Sequence, residues 1–303
     1  MDLTDAILDY RRFLKRKNYS AHTVKNTINR LKHFVVWLPV PLEETGYEQV
    51  KQYIERLMNK HCAPVTINCH LASIRCFFDY LIDEGMLHII NPVKRGCGVR
   101  LSQPLPRYLP DDQLERLFSV IKRARDRAMF MLMLRCGLRV EEVARLTLGA
   151  IDLGQRRIRV ESGKGRKDRI VYISNDAESE LRRYLRTRCS MKSRNVFVVE
   201  KGLCRGKPLS VRGIQKRIEH YARKAKIRVS CHQLRHTMAT QMLNADAALV
   251  TIQDLLGHNW IMTTQRYCKI SNVKVQRDYY QAMERIIANS DAKTNLDRLK
   301  EKT

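Results

Sequence analysis

Apolar positions recur every three to four residues through the first eighty-odd residues, the spacing that puts them on one helix face. Ala6, Ile7, Tyr10, Phe13 and Leu14 form the first such stripe. Ser20 stands where an N-cap is needed, ahead of Val24, Ile28, Leu31, Val35 and Leu38. A third helix carries Val50, Ile54 and Leu57, with Thr45 as its expected cap. A fourth carries Ile67, Leu71, Ile74, Phe78 and Leu81. Pro64 suits its first turn, where a missing N–H costs nothing, and Gly85 its end. Cys62, Cys69 and Cys76 fall seven apart and are expected to pack in the core as one stripe rather than bind metal.

The pattern then breaks. Pro92, Gly96, Gly98, Pro104, Pro106 and Pro110 punctuate a stretch that also carries Lys94, Arg95, Arg100 and Arg107. Residues 93–108 are expected to form a linker, one basic enough to follow a phosphate backbone. Beyond it, Leu114, Leu117, Phe118 and Ile121 mark a helix, and the nearly solid apolar run from Ala128 to Leu134 marks a buried one. Residues 157–162 alternate, 163–168 form a polar turn, and 169–174 are β-rich. That predicts a hairpin with Lys164, Gly165, Arg166 and Lys167 at its tip. Helices dominate from Asp176. Ser210 is placed to cap one with Val211, Ile214, Ile218 and Tyr221 inward and Arg212, Lys216 and Arg223 outward. The last residues, from Asp291, are polar and charged. No internal repeat is evident. The expected fold class is mainly α with a small antiparallel β region: an all-helical domain over 1–92, the linker, a mixed α+β domain over 109–290, and a tail over 291–303.

The chain has 303 residues, of which 44% are hydrophobic and 29% charged, an ordinary globular composition long enough for two domains. The sign of the charge is what changes the picture. Lys and Arg number 57 against 31 Asp and Glu, a formal net charge of +26. The surplus is +5 over residues 1–100, +18 over 101–250 and +3 over 251–303. Such a surplus repels itself in a compact state, so a polyanionic partner is the reading; a solvated basic surface with no partner is the blander one. No segment reaches the roughly 18–20 apolar residues that span a bilayer, and no basic-then-apolar leader opens the chain. Nine cysteines without a CxxC pair read as reduced thiols. A cytoplasmic protein without membrane partner or disulfide framework is expected.

Gly137 breaks the apolar helix, and Arg139 stands just past the break with Glu142 three residues on. An arginine leaving an apolar core needs an anionic partner. A phosphate with Glu142 orienting the guanidinium fits, and so does an Arg–Glu pair that merely holds a turn. His232 and Arg235, three apart, share a helix face, which sets a proton-transfer group beside a bidentate phosphate binder. His232 and His236 have the i,i+4 spacing of a zinc helix, but Gln233 stands where a metalloprotease needs Glu, and no third ligand is evident. Gly257-His258 and, nine residues later, Tyr267 complete the series. With 12 tyrosines present, Tyr267 alone would say nothing. No carboxylate cluster suited to two Mg²⁺ appears, and the run at Lys164 lacks P-loop spacing. No metal and no cofactor are expected.

The ordered set Gly137-Leu138-Arg139-x-x-Glu142, Gly163-Lys164-Gly165-x-Lys167, His232-x-Leu234-Arg235-His236, Leu256-Gly257-His258 and Tyr267 closely resembles the tyrosine recombinases, the phage-integrase-type family, and within it the Xer-like two-domain enzymes. The resemblance spans essentially the whole chain: 20–85 is similar to the helical core-binding domain and 108–290 to the catalytic domain. It implies catalytic positions at Arg139, Lys164, His232, Arg235, His258 and Tyr267, with Glu142 and His236 in support; none departs from the pattern. It implies a 3′-phosphotyrosyl intermediate at Tyr267, formed without ATP because the bond energy is stored covalently. Arg139 and Arg235 then meet the phosphate charge, Lys164 protonates the leaving 5′-oxygen, His232 assists proton transfer or holds the phosphate, and His258 hydrogen-bonds it.

The implied activity is site-specific recombination of double-stranded DNA, serving integration, excision or resolution and typical of mobile elements. It runs through a Holliday junction in a homotetramer whose C-terminal helix, with Tyr279, Met283 and Ile286, docks on a neighbouring protomer. An intramolecular helix is the simpler alternative for that segment. Expected DNA contacts are Lys94, Arg95, Arg166, Lys167, Arg212, Lys216 and Arg223, with base readout from 210–226 in the major groove. The helical pattern begins so early that no additional arm-type DNA-binding domain is expected ahead of it, which favours short core sites. The rival readings are a type IB topoisomerase-like strand-passage enzyme, which the helical domain and C-terminal helix disfavour, and a non-enzymatic DNA-binding regulator, which the complete residue set disfavours.

Overall fold

The structure, a computed structural model, describes residues 3–102, 108–161, 168–188 and 193–257, together with the single position 283. The chain divides into two compact units, Met1–Gln103 and Pro104–Thr303.

The first unit is built on α1 (Leu3–Arg16), α2 (Ala21–Trp37), α3 (Tyr47–Asn59) and α4 (Pro64–Asp83). The Ser20 hydroxyl caps α2 by accepting from the Thr23 N–H at 3.1 Å, and Pro64 opens α4. Thr45 does not cap α3. It ends a short 3-10 turn over Leu42–Glu44, and Gly46 is the N-cap, its N–H bound by the Gln49 side chain at 2.9 Å. The core is aromatic: Tyr10, Phe34, Tyr53, Phe77 and Phe78 are fully buried. The cysteine stripe is not core. Cys69 is half-buried and Cys76 exposed, because α4 turns Ile67, Leu71, Ile74, Phe77, Phe78 and Leu81 inward instead. Part of the stretch expected as linker packs on this unit. Val93 is buried against it, Arg75 donates to the Val93 carbonyl, and Asn68 exchanges two hydrogen bonds with the backbone of Val99, each 2.8 Å.

The second unit opens with α5 (Asp111–Val120) and α6 (Ala124–Arg135). All seven residues from Ala128 to Leu134 are buried. After α7 (Val140–Arg145) comes a three-stranded antiparallel sheet in the order β1 (Ile151–Asp152), β2 (Arg157–Val160), β3 (Arg169–Tyr172). β2 and β3 form the expected hairpin, with Ile158 opposite Val171 and Val160 opposite Arg169. β1 is an addition too short for any alternation to reveal. Next, α8 (Asn175–Thr187) lies along α6, and α9 (Val211–Lys224), α10 (Cys231–Asn244) and α11 (Leu249–Leu256) follow. Among the described residues no helix is long and apolar enough to cross a membrane.

Candidate active site

Gly137 ends the apolar helix in the left-handed region, with φ +65°, where a side chain is strained. A Cβ there would also lie 3.0 Å from Leu256 and 3.2 Å from the Met238 sulfur. The turn therefore brings α7 close to α10 and α11. Arg139 is the N-cap of α7, and Glu142, the third residue of that helix, reaches back to accept from the Arg139 N–H at 2.7 Å. The two side chains also pair, Nη1 to Oε1 at 2.8 Å.

Glu142 has a second cationic partner. Arg169, first residue of β3, donates through both Nη atoms to the two carboxylate oxygens, each at 2.8 Å. Glu142 and Arg169 are each 9% exposed and Arg139 18%. Burial raises the Glu142 pKa, but the hydrogen bonds and charge of Arg169, with those of Arg139, outweigh it and bring it down to about 2. The carboxylate is ionised at every working pH.

The guanidiniums converge on the end of α11. Arg169 Nε donates to the Leu255 carbonyl at 2.8 Å, Arg235 Nη2 to the Leu256 carbonyl, and Arg139 Nη2 to the Gly257 carbonyl at 3.1 Å. Three arginines thus bind three successive carbonyls that a helix C-terminus leaves without intrahelical partners and with partial negative charge. Gly257 closes α11 at φ +58°. His258 is the next residue in sequence.

Arg235 is 1% exposed and also donates, through Nη1, to the Gly137 carbonyl. It sits on α10 with His232 one turn earlier, but at a different depth, for the His232 ring reaches solvent. Partial burial, then the charges of Arg235 and Arg139, hold His232 below the usual histidine pKa, which keeps the imidazole neutral and able to accept a proton at neutral pH. His236 packs edge-on against His232, ring centroids 4.2 Å apart. Gln233 serves the backbone instead, forming with Ser230 the capping box that starts α10. Among the described residues no group of three or more potential metal ligands occurs.

Of the expected catalytic residues, Arg139, His232 and Arg235 therefore lie together, with Glu142 and His236 beside them. Lys164, His258 and Tyr267 lie outside the described residues, as do Arg166, Lys167, Tyr279, Ile286 and the tail over 291–303. Of the expected DNA contacts, Arg212, Lys216 and Arg223 are exposed on α9, whose inner face buries Ile214, Ile218 and Tyr221; Lys94 and Arg95 are exposed on the first unit. Arg212 pairs with Glu219 at 3.4 Å, and the Lys94 ammonium stands 4.7 Å from the Tyr47 ring centre.

Pattern reading missed Arg169, whose charge sat in a basic run where nothing marked it out. It also missed a buried ionic knot. Asp126, fully buried on α6, accepts from Arg125, from Arg217 Nε at 2.7 Å and from the Tyr221 hydroxyl at 2.9 Å, and so fixes α9 on α6. The one available signal was a charged pair, Arg125-Asp126, just ahead of an apolar run.

Comparison with known proteins places the chain in a family. Residues 107–273 match the model of the phage integrase family and residues 7–86 that of the phage integrase N-terminal SAM-like domain. The chain is 32% identical over 292 residues to the tyrosine recombinase XerC of Shewanella sp. (strain W3-18-1), covering 93% of this chain and 95% of that one. It is 30% identical over 281 residues to XerC of Bacillus subtilis (strain 168), covering 87% and 90%. Its fold is similar to that of the Tn1549 transposon integrase solved in complex with transposon right end DNA, with TM-score 0.74 at 18% identity, covering 92% and 99%. A matching model over more than half the chain and curated relatives over nearly its whole length leave one assignment: the chain belongs to the phage integrase family and is a tyrosine recombinase.

Proposed function

We propose that the chain cuts and rejoins double-stranded DNA at specific sites with Tyr267 as nucleophile and Arg139, Lys164, His232, Arg235 and His258 around the scissile phosphate. The observation that carries this is the gathering of Arg139 and Arg235 at the end of α11, one residue before His258, with His232 one turn before Arg235 on α10.

In the reaction, the Tyr267 oxygen attacks phosphorus and a 3′-phosphotyrosyl bond forms as the bond to the 5′-oxygen breaks. Lys164 gives that oxygen its proton, and His232 takes the proton of the tyrosine. Arg139 and Arg235, permanently charged forks, stabilise the charge on the non-bridging oxygens. A 5′-hydroxyl from the partner strand reverses each step, so no high-energy cofactor is consumed. The basic residues supply the charge stabilisation that a metal gives elsewhere. Glu142 and His236 hold Arg139 and His232 in place. The exposed Arg212, Lys216 and Arg223 make α9 the reading helix in the major groove, while Lys94 and Arg95, with Arg166 and Lys167, contact phosphates. Four protomers join two sites through a Holliday junction, each lending its C-terminal helix to a neighbour, in the cytoplasm.

The test is covalent capture. On a nicked suicide substrate in excess EDTA, the wild type accumulates a protein–DNA adduct in denaturing gels, and Tyr267→Phe binds the DNA but gives none. An adduct with Tyr267→Phe, or a wild-type adduct that requires added metal, would refute the assignment. Relaxation of supercoiled DNA without sequence preference by one-protomer complexes would favour a topoisomerase.

A further inference from the structure

We propose that Arg169 is a positioning residue for strand cleavage: it holds Glu142, and through Glu142 the Arg139 guanidinium, against the end of α11 from which the chain passes to His258. The proposal rests on the assignment of Arg139 to the scissile phosphate.

The geometry is specific. An ionised carboxylate offers about four acceptor positions. Glu142 accepts four donors: Arg139 N and Nη1, and Arg169 Nη1 and Nη2, at 2.7 to 2.8 Å. Arg169 supplies half of them in the bidentate form that fixes a carboxylate plane. Its third donor, Nε, holds the Leu255 carbonyl, and Gly257 leaves room for its side chain, since a Cβ there would fall 3.0 Å from Arg169 Cδ. One side chain thereby ties three pieces that pattern reading treated separately: the start of β3, the Arg139–Glu142 helix start, and the end of α11.

The charge count also explains why a second arginine is needed. With Arg139 alone, Glu142 would neutralise it and compete with an incoming phosphate. With two arginines on one carboxylate, a full positive charge is left in a pocket whose members are 9–18% exposed. Arg169 divides the carboxylate's hold, so that Arg139 is oriented by Glu142 without being spent on it.

The test asks how a defect depends on substrate charge, which general loss of packing does not. A scissile methylphosphonate replaces one charged non-bridging oxygen with a methyl group and so relieves the demand on Arg139. Cleavage of phosphate and methylphosphonate suicide substrates is compared for wild type, Arg139→Ala and Arg169→Lys, each checked for unchanged circular dichroism and DNA affinity. Lysine keeps the charge and cannot span both carboxylate oxygens and the Leu255 carbonyl together. Arg169→Lys is expected to slow phosphate cleavage by about 10²-fold, the scale of an ångström-sized misplacement. The loss on methylphosphonate should be much smaller, following Arg139→Ala in pattern. Equal loss on both substrates, or no loss on either, would overturn the role of Arg169. If Arg169→Lys does not fold, Glu142→Asp, which shortens the same carboxylate, carries the same expectation. A wild type that does not cleave, or an Arg139→Ala that loses both substrates equally, would instead overturn the assignment of Arg139.

Discussion

Each unit buries its own apolar core, and the two treat charge in opposite ways. In the helical unit, among the described residues, the buried polar side chains are Thr45, His70 and Ser73, with the Tyr53 hydroxyl bonded to His70 Nδ1 at 3.0 Å. In the second unit Arg125, Asp126, Arg235, Thr237 and Thr240 are buried, and Glu142 and Arg169 nearly so. A core held by dispersion and area accepts volume-conserving exchange, whereas a core held by ion pairs fails when one partner is removed. The second kind suits a site where guanidiniums must stand in one orientation.

That contrast can be broken most directly at Asp126. Asp126→Ala leaves Arg125 buried without its carboxylate and is expected to cost about 3–5 kcal/mol in urea unfolding. Tyr53→Phe, which removes the buried hydrogen bond of the helical unit, is expected to cost about 0.5–1.5 kcal/mol. Equal costs would dissolve the distinction.

Acid gives a second, smaller separation. The Glu142 pKa is lower folded than unfolded, so the pair's contribution is present above the ordinary carboxylate value and fades as pH falls from about 4.5 toward about 2. No Asp or Glu of the helical unit is buried among the described residues. Pepsin between those pH values should therefore release peptides of residues 136–175 before those of α1–α4, and Glu142→Gln should remove that pH dependence. Simultaneous release would show that the carboxylate is not what distinguishes the units.

The surface gives the smallest effect. Each of Arg212→Ala, Lys216→Ala and Arg223→Ala should reduce the slope of log affinity against log salt by about 0.9 if the residue neutralises one phosphate. A residue whose loss leaves the slope unchanged is not a phosphate contact.

What could be read from sequence follows the same division. The helices of the first unit were legible because α1 to α4 each bury one stripe, and periodicity reports stripes. The error at Thr45 arose because a 3-10 turn and a following N-cap offer the same local chemistry one residue apart. The cysteine stripe misled because a seven-residue repeat fixes a shared face without saying which face. In the second unit the hairpin and the segments around Arg139 and His232 could be seen by spacing and by their resemblance to a family. Arg169 and Asp126 could not. Their partners lie 27 and 91 residues away, at Glu142 and Arg217, and nothing local marks a charge that a distant element will enclose.

The burial of Arg235 also makes the site visible. Guanidinium N–H protons of exposed arginines exchange with water rapidly, while protons enclosed by protein carbonyls wait for the structure to open. Arg235, 1% exposed and bonded to the Gly137 and Leu256 carbonyls, is thus expected to give a slowly exchanging side-chain ¹⁵N signal at neutral pH. If Arg235 meets the scissile phosphate as proposed above, the signal of this one buried cation becomes a resident reporter of its arrival before any bond is cut.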